Sequence, residues 1–208
     1  MTTQSEAVEK VMRLAPVIPV LVIEDIEHAR PIAEALVAGG LPALEVTLRT
    51  DCALEAIRVM KQVPGAVVGA GTVLTPDDLK RSVDAGAEFI VSPGLTPNLA
   101  EAAYKSKIPF LPGTANASDI MFALECGFDR LKFFPAMAAG GPSALKAISA
   151  PLAAAKFCPT GGVTPQNAPE WLALDAVICV GGSWMVPKGK PDVAQIEAAA
   201  RAAAGLAR

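Results

Sequence analysis

The stretch Leu44-Glu45-Val46-Thr47-Leu48-Arg49 alternates apolar and polar side chains in the manner of a β-strand. Its two leucines and its valine lie on one face, and its glutamate, threonine and arginine lie on the other. When helices cover the outside of a barrel, the apolar face of such a strand lies outside and the polar face points into the barrel. The stretch therefore predicts a barrel strand that carries three polar side chains to the interior or the mouth.

Seven other apolar runs are followed by a loop with Gly, Pro, Ser or Thr and then by an alanine-rich amphipathic stretch. The eight predicted strands end at similar intervals, each long enough for one helix and its loops. They cover residues 17–23, 43–48, 66–70, 89–92, 110–112, 131–134, 157–160 and 177–180. This order predicts one α/β domain over residues 1–208, a (β/α)8 TIM barrel, with a doubly wound open sheet as the alternative.

Capping residues predict where the helices begin. A hydroxyl side chain followed by proline or by an acid is typical of a helix N-terminus. Such signals stand at Thr75-Pro76, Thr96-Pro97, Ser118-Asp119 and Thr164-Pro165. Two more helices are predicted, an additional N-terminal one at about residues 5–14 and a last one at about residues 193–204.

Composition narrows the classes of function. Of the 208 residues, 52% are apolar and 19% are charged, yet no apolar run reaches the roughly 18 to 20 residues of a membrane-spanning helix. The formal net charge is −3, and no basic stripe with an aromatic platform indicates nucleic acid. The N-terminus lacks the pattern of a secretory signal. We therefore expect a cytoplasmic protein that binds neither membrane nor nucleic acid.

Few residues are suited to metal binding. The only histidine, His28, is predicted on a surface helix, so the sequence offers few histidine side chains for a zinc site or a Ser-His-Asp triad. We predict no metal and no cofactor. The cysteines lack a C-x-x-C pair and are predicted to be reduced; they are Cys52, Cys126, Cys158 and Cys179.

Lys132 stands out because its segment, Arg130-Leu131-Lys132-Phe133-Phe134-Pro135, is otherwise typical of a buried strand. Burial disfavours the charged form of a lysine, so an amine in such surroundings can act as a nucleophile of the kind that Schiff-base enzymes need. The alternatives are a lysine that reaches water along an apolar surface and a purely structural ion pair.

The active site of a barrel gathers at the C-terminal ends of its strands. Period-two alternation and the barrel interior bring Glu45 and Lys132 together, with Arg49 at the rim. Glu45 is then a candidate general acid or base, and Arg49 has the fork geometry to bind a carboxylate. A Glu-Lys pair that only supports the structure is the alternative.

Glycine-rich loops follow several predicted strands, where they let a ligand approach the backbone. Strands three to five end in Gly69-Ala70-Gly71-Thr72, Ser92-Pro93-Gly94 and Pro112-Gly113-Thr114. Strands seven and eight end in Pro159-Thr160-Gly161-Gly162-Val163 and Val180-Gly181-Gly182-Ser183-Trp184. Many barrels bind phosphate after these last two strands. Simple tight turns are the alternative.

These motifs resemble the bacterial 2-keto-3-deoxy-6-phosphogluconate (KDPG) aldolases, class I enzymes of the KDPG/4-hydroxy-2-oxoglutarate aldolase family. The resemblance covers nearly the whole chain. It rests on Ala38-Gly39-Gly40, Leu44-Glu45-Val46-Thr47-Leu48-Arg49-Thr50, Val68-Gly69-Ala70-Gly71-Thr72-Val73, Ser92-Pro93-Gly94, Leu131-Lys132-Phe133-Phe134-Pro135-Ala136, Cys158-Pro159-Thr160-Gly161-Gly162 and Gly181-Gly182-Ser183-Trp184.

The resemblance implies roles for individual residues. Lys132 matches the Schiff-base lysine and Glu45 the carboxylate that shuttles protons. The residues that match the family's pyruvate site are Arg49, Thr72, Pro93 and Phe134. Those that match its substrate and phosphate region are Thr160, Gly161, Gly162, Gly181, Gly182 and Ser183.

The implied enzyme is a metal-independent aldehyde-lyase of the Entner-Doudoroff pathway. It would cleave 2-dehydro-3-deoxy-6-phospho-D-gluconate to pyruvate and D-glyceraldehyde 3-phosphate, with 4-hydroxy-2-oxoglutarate as a further candidate substrate. The partner is thus a phosphorylated keto-deoxy sugar acid, and the resemblance suggests a homotrimer. The alternatives are an aldolase for the galactonate epimer, another phosphosugar barrel enzyme, and a sugar-phosphate-binding protein without catalysis. Thr160 favours the gluconate enzyme.

Overall fold

The computed structural model describes residues 4–207. Its helices are α1 (Gln4–Met12), α2 (Ala29–Ala38), α3 (Ala53–Met60), α4 (Pro76–Asp84), α5 (Pro97–Ser106), α6 (Ala117–Glu125), α7 (Gly141–Ser149), α8 (Ala168–Leu172) and α9 (Val193–Ala204). Its strands are β1 (Val17–Leu21), β2 (Ala43–Thr47), β3 (Val67–Gly71), β4 (Phe89–Val91), β5 (Phe110–Leu111), β6 (Gly113–Thr114), β7 (Arg130–Phe133), β8 (Lys156–Pro159) and β9 (Val180–Gly182). Among these helices, none is long and apolar enough to cross a membrane.

The strands form one curled parallel sheet. Six of them lie in the order β5-β4-β3-β2-β1-β9, and three lie in the order β6-β7-β8. Each pairing between named strands is parallel. Isolated bridges from Phe157 to Val177 and from Thr160 to Gly181 connect the two groups. The chain therefore has an α/β fold of the TIM-barrel type.

Two apolar clusters lie on the two sides of this sheet. Leu44 and Val46 of β2 belong to the larger cluster, which also contains the buried hydrophobic residues of helices α2 to α9. Ile18, Phe89 and Leu111 belong to a smaller cluster together with Val8, Val11 and Met12 of α1. The alternation of β2 therefore turns its apolar face toward the helices, as predicted, and leaves its polar face for the interior.

Helix α1 lies at the end of the sheet where the strands begin. The Gln4 side chain donates a hydrogen bond to the Ile108 carbonyl at 2.6 Å and accepts one from the Phe110 N–H at 3.3 Å. Glu9 accepts a hydrogen bond from Nε of Arg130, the first residue of β7, at 2.7 Å. Hydrogen bonds from Arg130 and Arg13 hold the pKa of the Glu9 carboxyl below its usual value. The opposite end of the sheet, where the strands finish, is left for the predicted site.

Six predicted strands match observed ones to within two residues at each end, and the other two differ more. The predicted strand 110–112 is broken at Pro112 into β5 and β6, because proline has no N–H with which to continue a ladder. The predicted strand 177–180 lies too early: Val177 makes only an isolated bridge to β8, and the regular strand β9 pairs with β1 over Val180–Gly182. The chain thus changes its neighbour within the eighth strand.

Two predicted helix starts are also displaced. The α6 cap is Asn116, whose side chain accepts a hydrogen bond from the Asp119 N–H, and not Ser118. Thr164 begins a turn in which it exchanges hydrogen bonds with Asn167, so α8 starts only after that residue. The Thr75 start is correct: its hydroxyl and the Asp78 carboxylate form a reciprocal capping box. The Thr96 cap of α5 is correct too.

Candidate active site

Lys132 and Glu45 meet inside the curled sheet. Lys132 lies on β7 and Glu45 on β2, and Lys132 Nζ donates a hydrogen bond to Glu45 Oε1 at 3.1 Å. The side chains are only 7% and 3% exposed. An isolated charge at either position would be very costly, and the pair offsets part of that cost. The two groups that acid-base and nucleophilic chemistry need are therefore in direct contact.

The polar face of β2 is held by its neighbour β1. Thr47 Oγ1 donates a hydrogen bond to the Leu21 carbonyl at 2.8 Å, and Val20 of β1 is in register with Glu45. Arg49 follows two residues after the end of the strand and is exposed. The predicted separation of a buried carboxylate and a rim guanidinium is therefore observed.

A glycine of β3 makes room for the Glu45 carboxylate. Gly71 is in register with Thr47, and a Cβ at Gly71 would overlap Glu45 Oε1 and lie 2.7 Å from Cγ and 2.8 Å from Cδ. Those distances are shorter than real Cβ contacts. Gly71 is therefore needed for its small size, and it fixes the space in which Glu45 approaches Lys132.

Phe134 lies beside the amine. Lys132 Nζ is 5.5 Å from the centroid of the Phe134 ring, within the range of a cation–π contact. Phe134 is half-buried and also lines a large cavity at the ends of the strands. The amine is thus next to the wall of this cavity, although the surrounding sheet buries it.

The cavity has a volume of about 770 Å³. This is within the usual size range of small-molecule sites, roughly 300 to 1,000 Å³. Besides Phe134 and Arg49, it is lined by all six residues predicted for the substrate and phosphate region: Thr160, Gly161, Gly162, Gly181, Gly182 and Ser183. The structure therefore brings the two glycine turns and the aromatic neighbour of Lys132 to one space.

The two glycine pairs are fitted to each other, although only Gly161-Gly162 forms a turn, whereas Gly181-Gly182 ends strand β9. Gly161 has a φ of 103° and Gly162 a φ of 76°, a backbone conformation that favours glycine. Across the bridge between the strands, a Cβ at Gly181 would overlap Thr160 Oγ1. Thr160 itself is buried, and its hydroxyl donates a long hydrogen bond to the Cys158 carbonyl at 3.4 Å. Small residues at these positions keep the backbone accessible.

Four predicted site residues do not line this cavity: the buried pair Lys132 and Glu45, and also Thr72 and Pro93. Thr72 follows β3 directly and has a φ of 58°, which is unusual for a β-branched residue. Backbone strain of this kind is often found at functional sites. Pro93 lies against Gly113, which is in register with Lys132, because a Cβ at Gly113 would overlap the Pro93 carbonyl. Both residues are therefore close to the strands that carry the pair.

Several cavity residues were not predicted. Glu24, Asp25 and His28 line it from the segment after β1, and Lys188 and Lys190 line it from the loop after β9. His28 lies on a helix, as predicted, but this is a short 3-10 helix, and its half-buried side chain has Nε2 at 4.0 Å from Asp25 Oδ2. The position of these five residues just after two predicted strands is the sequence signal that could have identified them as cavity residues.

Within residues 4–207, no group of three or more His, Cys, Asp or Glu side chains is arranged to hold a metal ion. None of the four cysteines forms a disulfide within the described residues, and Cys158 and Cys179 are buried. The functional groups near the ends of the strands are an amine, a carboxylate, a guanidinium and backbone amides.

Comparisons with known proteins agree with this arrangement. The family model described as "Aldolase: KDPG and KHG aldolase" matches residues 8–199. The chain belongs to the KDPG and KHG aldolase family. The resemblance of the sequence motifs is thereby confirmed for the chain as a whole.

Individual members of this aldolase family are similar along most of their length. A 2-dehydro-3-deoxy-phosphogluconate aldolase of Zymomonas mobilis is 60% identical over 201 residues, covering 97% of each chain. The crystal structure of the Zymomonas mobilis ZM4 aldolase with 3-phosphoglycerate has a TM-score of 0.96, covering 97% of this chain and 96% of that one. A KDPG aldolase of Legionella pneumophila, captured with pyruvate as a covalent carbinolamine, has a TM-score of 0.92 at 46% identity, covering 95% and 98%.

Proposed function

We propose that the chain is a class I aldolase that cleaves 2-dehydro-3-deoxy-6-phospho-D-gluconate to pyruvate and D-glyceraldehyde 3-phosphate. The observation that carries the proposal is the buried contact of 3.1 Å between Lys132 Nζ and Glu45 Oε1 beside the cavity. A nucleophilic amine within hydrogen-bond reach of a general base is the arrangement that covalent catalysis of this kind needs. Membership of the aldolase family supports it.

In the proposed mechanism, the neutral amine of Lys132 attacks the C2 ketone, and loss of water gives a protonated imine. Glu45 removes the proton of the C4 hydroxyl, the C3–C4 bond breaks, and its electrons flow into the imine. D-glyceraldehyde 3-phosphate leaves, and the remaining enamine is protonated and hydrolysed to pyruvate. The imine withdraws electrons as a metal ion would in a metal-dependent aldolase.

The other predicted residues fit positions around this centre. Arg49 would hold the pyruvate carboxylate through its fork of N–H donors, with Thr72 and Pro93 nearby. The Phe134 ring would pack on the substrate next to the imine. The backbone N–H groups of the two glycine turns would bind the phosphate; these turns contain Thr160, Gly161, Gly162, Gly181, Gly182 and Ser183.

The gluconate substrate is favoured over its galactonate epimer for a specific reason. The relative that is 60% identical is named for phosphogluconate, and Thr160 agrees with the gluconate type. A side-by-side assay of both phosphorylated substrates decides between them, and equal turnover would remove the preference.

The architecture supports the same proposal. We infer a closed (β/α)8 barrel with α1 as an additional N-terminal helix, because β8 is bridged to Val177 and to β9, while β5 and β6, which end the two groups of strands, are consecutive parts of one predicted strand. The bridged groups of strands and a family match over residues 8–199 support a single catalytic domain over residues 1–208. A homotrimeric state and a cytoplasmic location stay predictions.

The covalent step supplies the test. Incubation with pyruvate and borohydride should add the mass of a reduced pyruvate adduct to the peptide that contains Lys132. Lys132→Ala should abolish both labelling and turnover, whereas Lys146→Ala, at an exposed position on α7, should change neither. Glu45→Gln should lower turnover by roughly 100-fold or more while part of the labelling remains. Full activity of Lys132→Ala would exclude the mechanism.

A further inference from the structure

The loop between β9 and α9 brings two lysines to the cavity wall. Lys188 and Lys190 both line the cavity and are otherwise exposed. In the part of the chain from residue 4 to residue 207, neither lysine takes part in an ion pair with an acidic side chain. Their charges are therefore available to a ligand.

The loop is fixed at both ends. Met185 is 1% exposed and belongs to the large apolar cluster. Asp192 caps α9, its side chain accepting a hydrogen bond from the Gln195 N–H at 3.0 Å. Between the two lysines, Gly189 has a φ of 97°, which lets the chain change direction there. The lysines are thus presented by a segment of defined shape.

The charges of the cavity wall depend on these two lysines. Apart from His28, its acidic and basic side chains are Glu24, Asp25, Arg49, Lys188 and Lys190. Three cations and two carboxylates therefore line the cavity, and without the two lysines Arg49 would be the only cation beside the two carboxylates. A phosphate ester carries nearly two negative charges at neutral pH, so a cavity wall without the lysines would oppose its binding.

We propose that Lys188 and Lys190 bind the distal phosphate of the substrate and set the preference for phosphorylated over unphosphorylated keto acids. The proposal rests on the proposed function, since it assigns one end of the same cavity to the group farthest from the reacting ketone. The glycine turns orient the phosphate through backbone amides, and the lysines neutralise it. Lysine suits this task because its ammonium acts as a point charge that needs no fixed geometry.

Direct binding tests the assignment without relying on turnover. The probes are 3-phosphoglycerate and glycerate, which differ by the phosphate, titrated by calorimetry at low ionic strength. Lys188→Ala combined with Lys190→Ala should weaken 3-phosphoglycerate binding about 10- to 100-fold, because a hydrogen bond between charged groups contributes roughly tenfold or more. Glycerate binding should stay within about twofold of the wild type.

Two further variants serve as controls. Lys188→Arg with Lys190→Arg keeps both charges and should restore most of the affinity. Lys146→Ala removes an exposed lysine that does not line the cavity and should leave both dissociation constants unchanged. Absence of measurable 3-phosphoglycerate binding by the wild type, an unchanged dissociation constant in the double alanine variant, or an equal loss for glycerate would each overturn the proposal.

Labelling by pyruvate and borohydride, on the same proteins, separates this proposal from the proposed function. Pyruvate carries no phosphate, so the double alanine variant should be labelled at Lys132 as fully as the wild type. If the wild type is not labelled, the aldolase mechanism fails, while the binding comparison still decides the role of the two lysines. If labelling is lost only in the double variant, the lysines support the site in general and the phosphate assignment is wrong.

Discussion

Gly71→Ala is expected to damage the reaction through Glu45 alone. The new Cβ would overlap Glu45 Oε1 and lie 2.7 Å from Cγ, so the carboxylate must move away from Lys132. The backbone of Gly71 lies outside the left-handed region, so an alanine there adds no strain of its own. The substitution therefore displaces the proposed general base by adding one methyl group on a neighbouring strand.

The size of the effect follows from the crowding. Relief of contacts this short needs a shift of Glu45 on the order of 1 Å, and a misplacement of that size can cost about 100-fold in rate. We expect kcat for the phosphorylated substrate to fall about 10- to 100-fold. Complete loss of general acid-base catalysis by Glu45 would lower kcat further, by roughly 100- to 10,000-fold, and this sets the upper limit of the effect. Overpacking should also lower the free energy of unfolding by about 1 to 3 kcal/mol.

Gly69→Ala on the same strand is the matched control. The three atoms nearest to a Cβ at Gly69 all belong to the ring of Phe89, which it would overlap, so we expect Gly69→Ala to cost similar stability mainly by displacing that ring. Steady-state kinetics, measured where both variants are fully folded, and borohydride labelling with pyruvate compare them. Gly71→Ala should keep its labelling and lose kcat. Equal kcat values for the two variants would refute the reasoning, since stability alone would then explain the loss.

Three other sets of substitutions give clear expectations. Glu9→Gln should reduce the loss of stability at acid pH. The folded-state pKa of Glu9 is lowered from 4.5, so the Glu9 carboxylate stabilises the fold above that pH, and this contribution disappears as the pH falls through the lowered value. In urea denaturation the contribution should be up to about 1 kcal/mol. Gly181→Ala, which crowds Thr160, should destabilise by about 1 to 3 kcal/mol, and adding Thr160→Ala should recover part of it in thermal melts. Lys132→Met alone should destabilise by about 3 to 5 kcal/mol, whereas Lys132→Met with Glu45→Leu should be near neutral or stabilising, and inactive. Loss of stability in the double variant equal to that in the single one would show that the pair is structural.

Local patterns predicted most of the fold because they depend on short stretches of chain. The alternation in β2 gave its two faces correctly, since a strand between helices and an interior must separate apolar from polar side chains. The capping box at Thr75 is likewise a contact within four residues. By contrast, the break at Pro112 and the change of partner within the eighth strand depend on which strand lies alongside, and a single run of residues does not contain that information.

In the candidate site, too, only some features could be predicted from the sequence. Glu45 and Lys132 were recognisable because charge inside an apolar strand is costly, so its presence demands a reason. The fit between Gly71 and the Glu45 carboxylate was not visible, since a glycine after a strand is also an ordinary way to turn a chain. Only the register between β2 and β3 distinguishes these two uses.

Lys188 and Lys190 are the opposite case from Lys132. An exposed lysine in a loop costs the fold almost nothing, so neither composition nor spacing marks it as functional. Its importance arises from the carboxylates of Glu24 and Asp25, which reach the same cavity from the other end of the chain. Buried charges can therefore be located from sequence by their cost, whereas exposed charges must be located from structure by their surroundings. For this reason the contact between Lys132 and Glu45 could be predicted from sequence, and the exposed charges of the cavity wall could not.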